Sequence, residues 1–200
     1  MISIVDYGMG NIRSVEKALE KLGFETRLIE THREDEMADK LVLPGVGAFG
    51  DAMKGLREHG LVEPIREYAK SGRVLFGICL GMQVFFESSD EDPGVEGLGL
   101  IPGEVKRFQC EGLKIPHMGW NNLDVTPASR LLAGIGDTPY VYFVHSYYVA
   151  PRTAESVAAT CDYGGEFTAA VEIGNVCGTQ FHPEKSQAVG MHILKNFGGM

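Results

Sequence analysis

RVLFGICLGMQVFFE (residues 73–87) decides how the rest of the chain is read. Val74, Leu75, Phe76 and Ile78 form an apolar run around Gly77, the pattern of a buried parallel strand, and from Leu80 the pattern predicts the start of a helix. Cys79 stands at the joint. Gly77 and Gly81 lie two residues before and two after it, the spacing of a G-x-S-x-G nucleophile elbow with cysteine in place of serine. Such a turn forces an unfavourable backbone conformation on its central residue, and side chains at the flanking positions would collide with neighbouring backbone, so glycine is required there. A sulfur placed this way is held clear of the sheet, and the positive end of the following helix favours its thiolate form. The alternative is a buried structural cysteine in a glycine-rich turn. Partners elsewhere in the chain decide between the two.

Outward from the elbow, the first half alternates strand and helix. Residues 2–5 predict a first strand, and Ile12, Val15, Ala18, Leu19 and Leu22 recur at helical steps, with Asn11 placed to cap the start and Gly23 to close the end. A second strand holds Leu28 and Ile29, residues 31–40 form a polar, acidic connection, and KLVLP (residues 40–44) predicts a third strand. Helical patterning returns through Phe49, Met53 and Leu56 and again through Val62, Ile65 and Tyr68. Gly8, Met9 and Gly10 lack the full G-x-G-x-x-G, so a plain strand-to-helix turn is the simpler reading than a phosphate loop.

Beyond Phe86 the texture changes. Residues 88–99 are acidic and glycine-rich, and then GEVKRF, LDV, YVYFVHSYYVA, SVAATCDY, FTAAVEIG and NVCGTQFH predict strands whose intervening turns suggest antiparallel pairing. Only GMHILKNF near the end looks helical again. The fold class expected is α/β, a three-layer domain with a mostly parallel central sheet flanked by helices and an antiparallel β extension in the C-terminal half. One domain over residues 1–200 is expected, since no linker, repeat or low-complexity segment interrupts the chain.

A net charge of -9 argues against a general nucleic-acid binder, which needs clustered positive charge. The four cysteines, Cys79, Cys110, Cys161 and Cys177, have no metal-type or disulfide-framework spacing, so neither metal nor cofactor is expected and reduced thiols fit best. With no signal-peptide pattern and no apolar run near the ~20 residues a bilayer requires, a cytoplasmic protein is expected.

A cysteine nucleophile needs a base within hydrogen-bond reach and a third group to orient that base. TQFHPEKS (residues 179–186) supplies both: His182 follows a predicted strand, Pro183 biases it toward extended backbone, and Glu184 can project to the same side. His145 is the rival base, although its alternation with Tyr142 and Phe143 suits a strand equally well. Donors for a developing oxyanion are available from the N–H of Leu80 and from the loop of Gly45, Val46 and Gly47. Together these parts describe acyl transfer through a thioester, with the acyl group left open.

GICLGMQ, PGVG and QFHPE, in the order nucleophile, histidine, acid, resemble the triad-type (class I) glutamine amidotransferases. DYGMGN (6–11), IPHMGWN (115–121), YFVHSYY (142–148) and TQFHPEKS narrow the resemblance to the glutaminase subunits of imidazole glycerol phosphate synthase, across nearly the whole chain. The resemblance implies a triad of Cys79, His182 and Glu184, an oxyanion site flanked by Gly47 and Leu80, and glutamine held at its amino acid end by Gln83, Glu91, Ser146 and Tyr147. It implies a (βα)8 barrel cyclase subunit as partner, met near Met118, Trp120, Tyr142 and Lys185. Glu91 could instead be a solvated loop carboxylate, and Trp120 a core residue. Still open beside this reading are the glutaminase of another synthase, such as anthranilate synthase, and a stand-alone cysteine hydrolase.

Overall fold

The computed structural model describes residues 1–31, 37–110 and 112–200; the acidic stretch at 32–36 of the expected connection lies outside them. The first half runs β1 (Ile2–Val5), α1 (Ile12–Lys21), β2 (Thr26–Ile29), β3 (Lys40–Gly45), α2 (Phe49–Glu58), α3 (Val62–Lys70), β4 (Val74–Cys79) and α4 (Leu80–Gln83). The second half runs β5 (Ser88–Ser89), β6 (Gly103–Arg107), β7 (His117–Asn122), β8 (Asp124–Val125), β9 (Tyr140–His145), β10 (Tyr147–Pro151), β11 (Val157–Asp162), β12 (Glu166–Ile173), β13 (Val176–Thr179) and α5 (Gln187–Gly199). Strands β2, β1, β3, β4 and β13 lie side by side and parallel. The sheet then continues antiparallel through β12, β10 and β6. This is the α/β architecture with an antiparallel extension that the sequence predicts.

The period-two alternation along the central strands sorts their side chains onto two faces. Ile2, Ile4, Val42, Phe76 and Ile78 pack with Val15 and Leu19 of α1 and Ile193, Leu194 and Phe197 of α5. On the other face, Val5, Leu41, Leu43 and Leu75 pack with Phe49, Met53 and Leu56 of α2 and Ile65 and Tyr68 of α3. Each such fully buried side chain contributes about 1.5–3 kcal/mol relative to an exposed one, so a sheet covered on both faces is the stable outcome of this pattern.

The elbow is built as its glycines require. Cys79 has φ 54° and ψ -112°, a left-handed conformation strained for any residue with a Cβ. A Cβ at Gly81 would lie 1.8 Å from the Leu43 carbonyl oxygen, and one at Gly77 would lie 2.7 Å from the backbone nitrogen of Met82. Strand β3 and the turn after Cys79 can therefore approach only where side chains are absent.

Four expectations change. The helix after Cys79 is one turn long, because the carbonyls of Val84, Phe85, Phe86 and Glu87 accept N–H groups from residues 97–101 instead of continuing a helical ladder. YVYFVHSYYVA is two strands, not one: β9 pairs with β7 in a separate two-stranded ribbon, and β10 joins the main sheet. Strand β7 itself was not among the expected strands. Asn11 makes no side-chain cap, since its φ -87° and ψ 59° depart from the extended backbone that aims a capping oxygen at the first free N–H groups. Gly23 does close α1, at φ +85° with its N–H on Glu20 O at 2.9 Å.

Candidate active site

Strand β4 delivers Cys79 at its C-terminal end, beside β13. Their parallel register pairs Ile78 with Thr179, so Gln180 comes abreast of Cys79 and His182 follows two residues later. The backbone of His182 is held firmly: its N–H donates to Tyr142 O at 3.0 Å, and the Ser186 hydroxyl donates to His182 O at 2.7 Å while accepting the Tyr142 N–H at 3.0 Å. His182 is extended (φ -97°, ψ 100°), and a single 3-10 turn, Pro183–Lys185, folds Glu184 back toward it.

Glu184 Oε1 lies 2.8 Å from His182 Nδ1, with both side chains buried. A carboxylate accepts, so Nδ1 carries the proton and Nε2 is the nitrogen left for Cys79. Nε2 and the other Glu184 oxygen, Oε2, are buried without a hydrogen bond of good geometry among the described residues. Burial opposes an imidazolium at His182, but the Cys79 sulfur and the Glu184 carboxylate together outweigh it and push its pKa up to about 9.

Cys79 and His182 line a cavity of about 310 Å³ whose walls also include Gly47, Leu80, Gln83, Glu91, Ser146 and Tyr147. The structure thus brings the six predicted oxyanion and substrate residues around the sulfur. Glu91 is not a solvated loop carboxylate: Oε2 accepts the Phe49 N–H at 2.8 Å, as Asp92 accepts that of Gly50 at 2.7 Å, at the positive end of α2. Its partial burial raises the Glu91 carboxyl above the usual range, with the Phe49 N–H opposing. The Tyr7 hydroxyl donates to Pro44 O at 3.0 Å, and a Cβ at Gly45 would lie 2.7 Å from it, so the DYGMGN loop braces the PGVG loop by contact with bare backbone.

His145, the rival base, is occupied on both nitrogens. Its Nδ1 lies 2.8 Å from Tyr147 O, and its Nε2 lies 2.9 Å from Nδ1 of His117. A backbone carbonyl only accepts, which makes Nδ1 of His145 the donor and, in turn, Nδ1 of His117 the donor to Nε2. Burial lowers the pKa of His117 to about 4 and of His145 to about 3, keeping both neutral. This pair fixes the corner at Ser146 and Tyr147, and it is His182, with Nε2 unengaged, that shares the cavity wall with Cys79 and responds to its sulfur.

On the ribbon, Met118 and Trp120 point outward and are 62% and 47% exposed, while Tyr142 is half-buried with its ring edge-on to Trp120 at 6.1 Å. Lys185 is exposed beside the histidine turn. Residues the sequence reading left without a role are Gln180, Ser186 and His117. Among the described residues, no group of His, Cys, Asp and Glu could hold a metal ion, and no helix is long and apolar enough to cross a membrane.

Residues 3–198 match the sequence family described as glutamine amidotransferase class-I. The chain belongs to that family. Within the class-I amidotransferases it is of the HisH type. It is 54% identical over 206 aligned residues, covering all of both chains, to the imidazole glycerol phosphate synthase subunit HisH of Syntrophotalea carbinolica. Against the proteins of that same name from Geobacter sulfurreducens and Methanosarcina barkeri it is 51% identical, covering 100% of this chain and 98% of each of theirs. Among solved structures, a chain described as glutamine amidotransferase superposes with a TM-score of 0.76 at 23% identity, covering 99% of this chain and 100% of that one. A chain of PurLQS from Thermotoga maritima gives 0.74 at 23% identity, covering 99% and 95%. At that identity the structural likeness speaks for the amidotransferase fold alone.

Proposed function

We propose that this class-I amidotransferase hydrolyses glutamine at Cys79 and hands the ammonia to a (βα)8 barrel cyclase, which uses it to form imidazole glycerol phosphate and aminoimidazole carboxamide ribonucleotide. The observation that carries the reading is the approach of His182, oriented by Glu184 at 2.8 Å, to a cysteine held in an elbow at a strand end. The Cys79 sulfur attacks the carboxamide carbon, forming a C–S bond and a tetrahedral oxyanion. N–H groups of Leu80 and of the loop at Gly47 receive that charge. The oxyanion collapses, the C–N bond breaks, and the leaving amine takes a proton from the His182 imidazolium. A water then gives its proton to His182 and attacks the thioester, releasing glutamate and restoring the sulfur. Glu184 keeps Nδ1 protonated throughout, so that Nε2 does the exchanging.

Gln83, Glu91, Ser146 and Tyr147 hold the amino acid end of glutamine, and the exposed face at Met118, Trp120, Tyr142 and Lys185 meets the cyclase. Residues 1–200 act as one domain. Four free thiols suit a reducing compartment, and we place the reaction in the cytoplasm.

The test is glutamate release from glutamine by the chain alone, with the cyclase, and with cyclase plus its nucleotide substrate, each beside Cys79→Ala. Strong turnover only in the complete mixture, abolished in Cys79→Ala with the complex intact, is the expected result. Equal turnover in all three mixtures would make it a stand-alone hydrolase, and turnover by Cys79→Ala would refute the assigned nucleophile.

A further inference from the structure

The sulfur of Cys79 has a polar neighbour that the triad does not include. Gln180, fully buried, places its side-chain nitrogen 3.6 Å from Sγ. Its backbone is fixed by the N–H bond to Ala169 O at 2.8 Å, and its position abreast of Cys79 follows from the register of two parallel strands. Two other groups set the orientation of its amide. Gln83 Nε2 lies 3.1 Å from Tyr147 O and 3.0 Å from Gln180 Oε1. Because Tyr147 O is a backbone carbonyl and can only accept, the Gln83 atom facing it is nitrogen. That nitrogen requires an oxygen from Gln180, which leaves the Gln180 N–H pointing at sulfur. Tyr147 O is itself held by Nδ1 of His145 at 2.8 Å, so the direction of the whole chain is anchored outside it.

The elbow needs such a donor. Cys79 is buried, and α4 behind it has only four residues, too few for a developed helix dipole. A negative sulfur there would lose the hydration that stabilises it, and hydrogen bonds to charged groups are the stronger kind. We propose that Gln180 is a positioning residue for the nucleophile: oriented by Gln83, its amide N–H holds the Cys79 sulfur in place and supports the negative charge it carries when it attacks. This rests on the reading of Cys79 as nucleophile. It also narrows what Gln83 does for glutamine, since both of its amide hydrogens are already engaged and only Oε1 is free to serve substrate.

The experiment uses the full chain with its cyclase and follows alkylation of the Cys79 peptide by iodoacetamide between pH 6 and 10, by mass spectrometry. Cys161 and Cys177 are buried, with thiols raised well above the usual range, so they compete little for the reagent. In Gln180→Met, which keeps the volume and removes the donor, alkylation at pH 7 falls about tenfold and the pH profile moves to the alkaline side. The same variant loses kcat for glutamine with KM little changed. Gln83→Met, which leaves Gln180 in place but frees its amide to turn, gives a smaller move in the same direction. An unmoved alkylation profile in folded Gln180→Met overturns the proposal; should that variant not fold, an unmoved profile in Gln83→Met does so. Alkylation needs no glutamine, so a failure of the glutaminase reading itself would appear separately, as absent turnover in the unsubstituted complex.

Discussion

His182 carries two opposing influences, and the balance between them is a testable quantity. Burial favours neutral imidazole, while the Cys79 sulfur and Glu184 favour the cation and prevail, lifting the pKa from 6.5 to about 9. A raised histidine contributes its stabilisation in full below pH 6.5 and loses it as pH rises through about 9, when the folded state gives up the proton. The alkaline limb of kcat should fall in that region, because the leaving amine then finds no proton. Glu184→Gln removes one of the two groups that hold the cation and no longer fixes the tautomer. That variant should lose at least about 10²-fold in kcat, with its alkaline limb moved to lower pH, as read from glutamate release across pH 6–10. An unchanged limb would mean that Glu184 does not govern His182. The pair itself was legible in the sequence, because Pro183 imposes the extended backbone that precedes it. Gln180 was not, although it stands two residues upstream: its role depends on the register of β13 against β4, which no local pattern contains.

At the scale of elements, the elbow shows why some parts of the fold are legible and others are not. Gly77 and Gly81 could be read as obligatory because their spacing around Cys79 encodes a steric rule, and the structure puts backbone atoms where their side chains would go. Gly81→Ala would drive a methyl group into the Leu43 carbonyl, and should cost about 3 kcal/mol or more. Gly94→Ala is the contrast: unlike Gly81 it sits at positive φ (+91°), and it faces open space, so only the backbone penalty of about 1–2 kcal/mol applies there. Urea unfolding midpoints of the two variants separate the contributions, and equal losses would deny the clash. Strand β7 escaped the sequence reading because its alternation is inverted. His117 is buried while Met118 and Trp120 face outward, the reverse of a strand written for its own core. The break between β9 and β10 was hidden for a related reason. Alternation runs on through Ser146 with no glycine, proline, asparagine or aspartate to mark a turn, yet the two halves pair in different sheets.

That inverted alternation is in keeping with the proposed docking of the ribbon on a partner. Met118, Trp120 and Tyr140 leave 62%, 47% and 52% of their surface exposed on one small ribbon, where an isolated protein would place polar side chains. The outer edge of the ribbon, the side of β9 turned away from β7, is tied into the active site. Tyr142 lies across from Trp120 in the β7 and β9 pairing, its carbonyl accepts the His182 N–H, and its own N–H is held by Ser186. Under the proposed docking, a partner that presses on Trp120 presses on the strand that holds the backbone of His182, one short physical route from that face to the proposed triad. Aromatic residues of this kind commonly anchor an interface and contribute about 2 kcal/mol or more. Trp120→Ala should weaken association with the cyclase subunit by about 30-fold in Kd, measured by titration calorimetry. Its thermal midpoint should move little, because the ring is already half in solvent and loses chiefly its edge contact with Tyr142. An unchanged Kd would place the docking face elsewhere and leave the outward aromatics of the ribbon unexplained. A large loss of thermal stability would instead show Trp120 holding the ribbon together, with weaker docking as a secondary effect of a disordered β7.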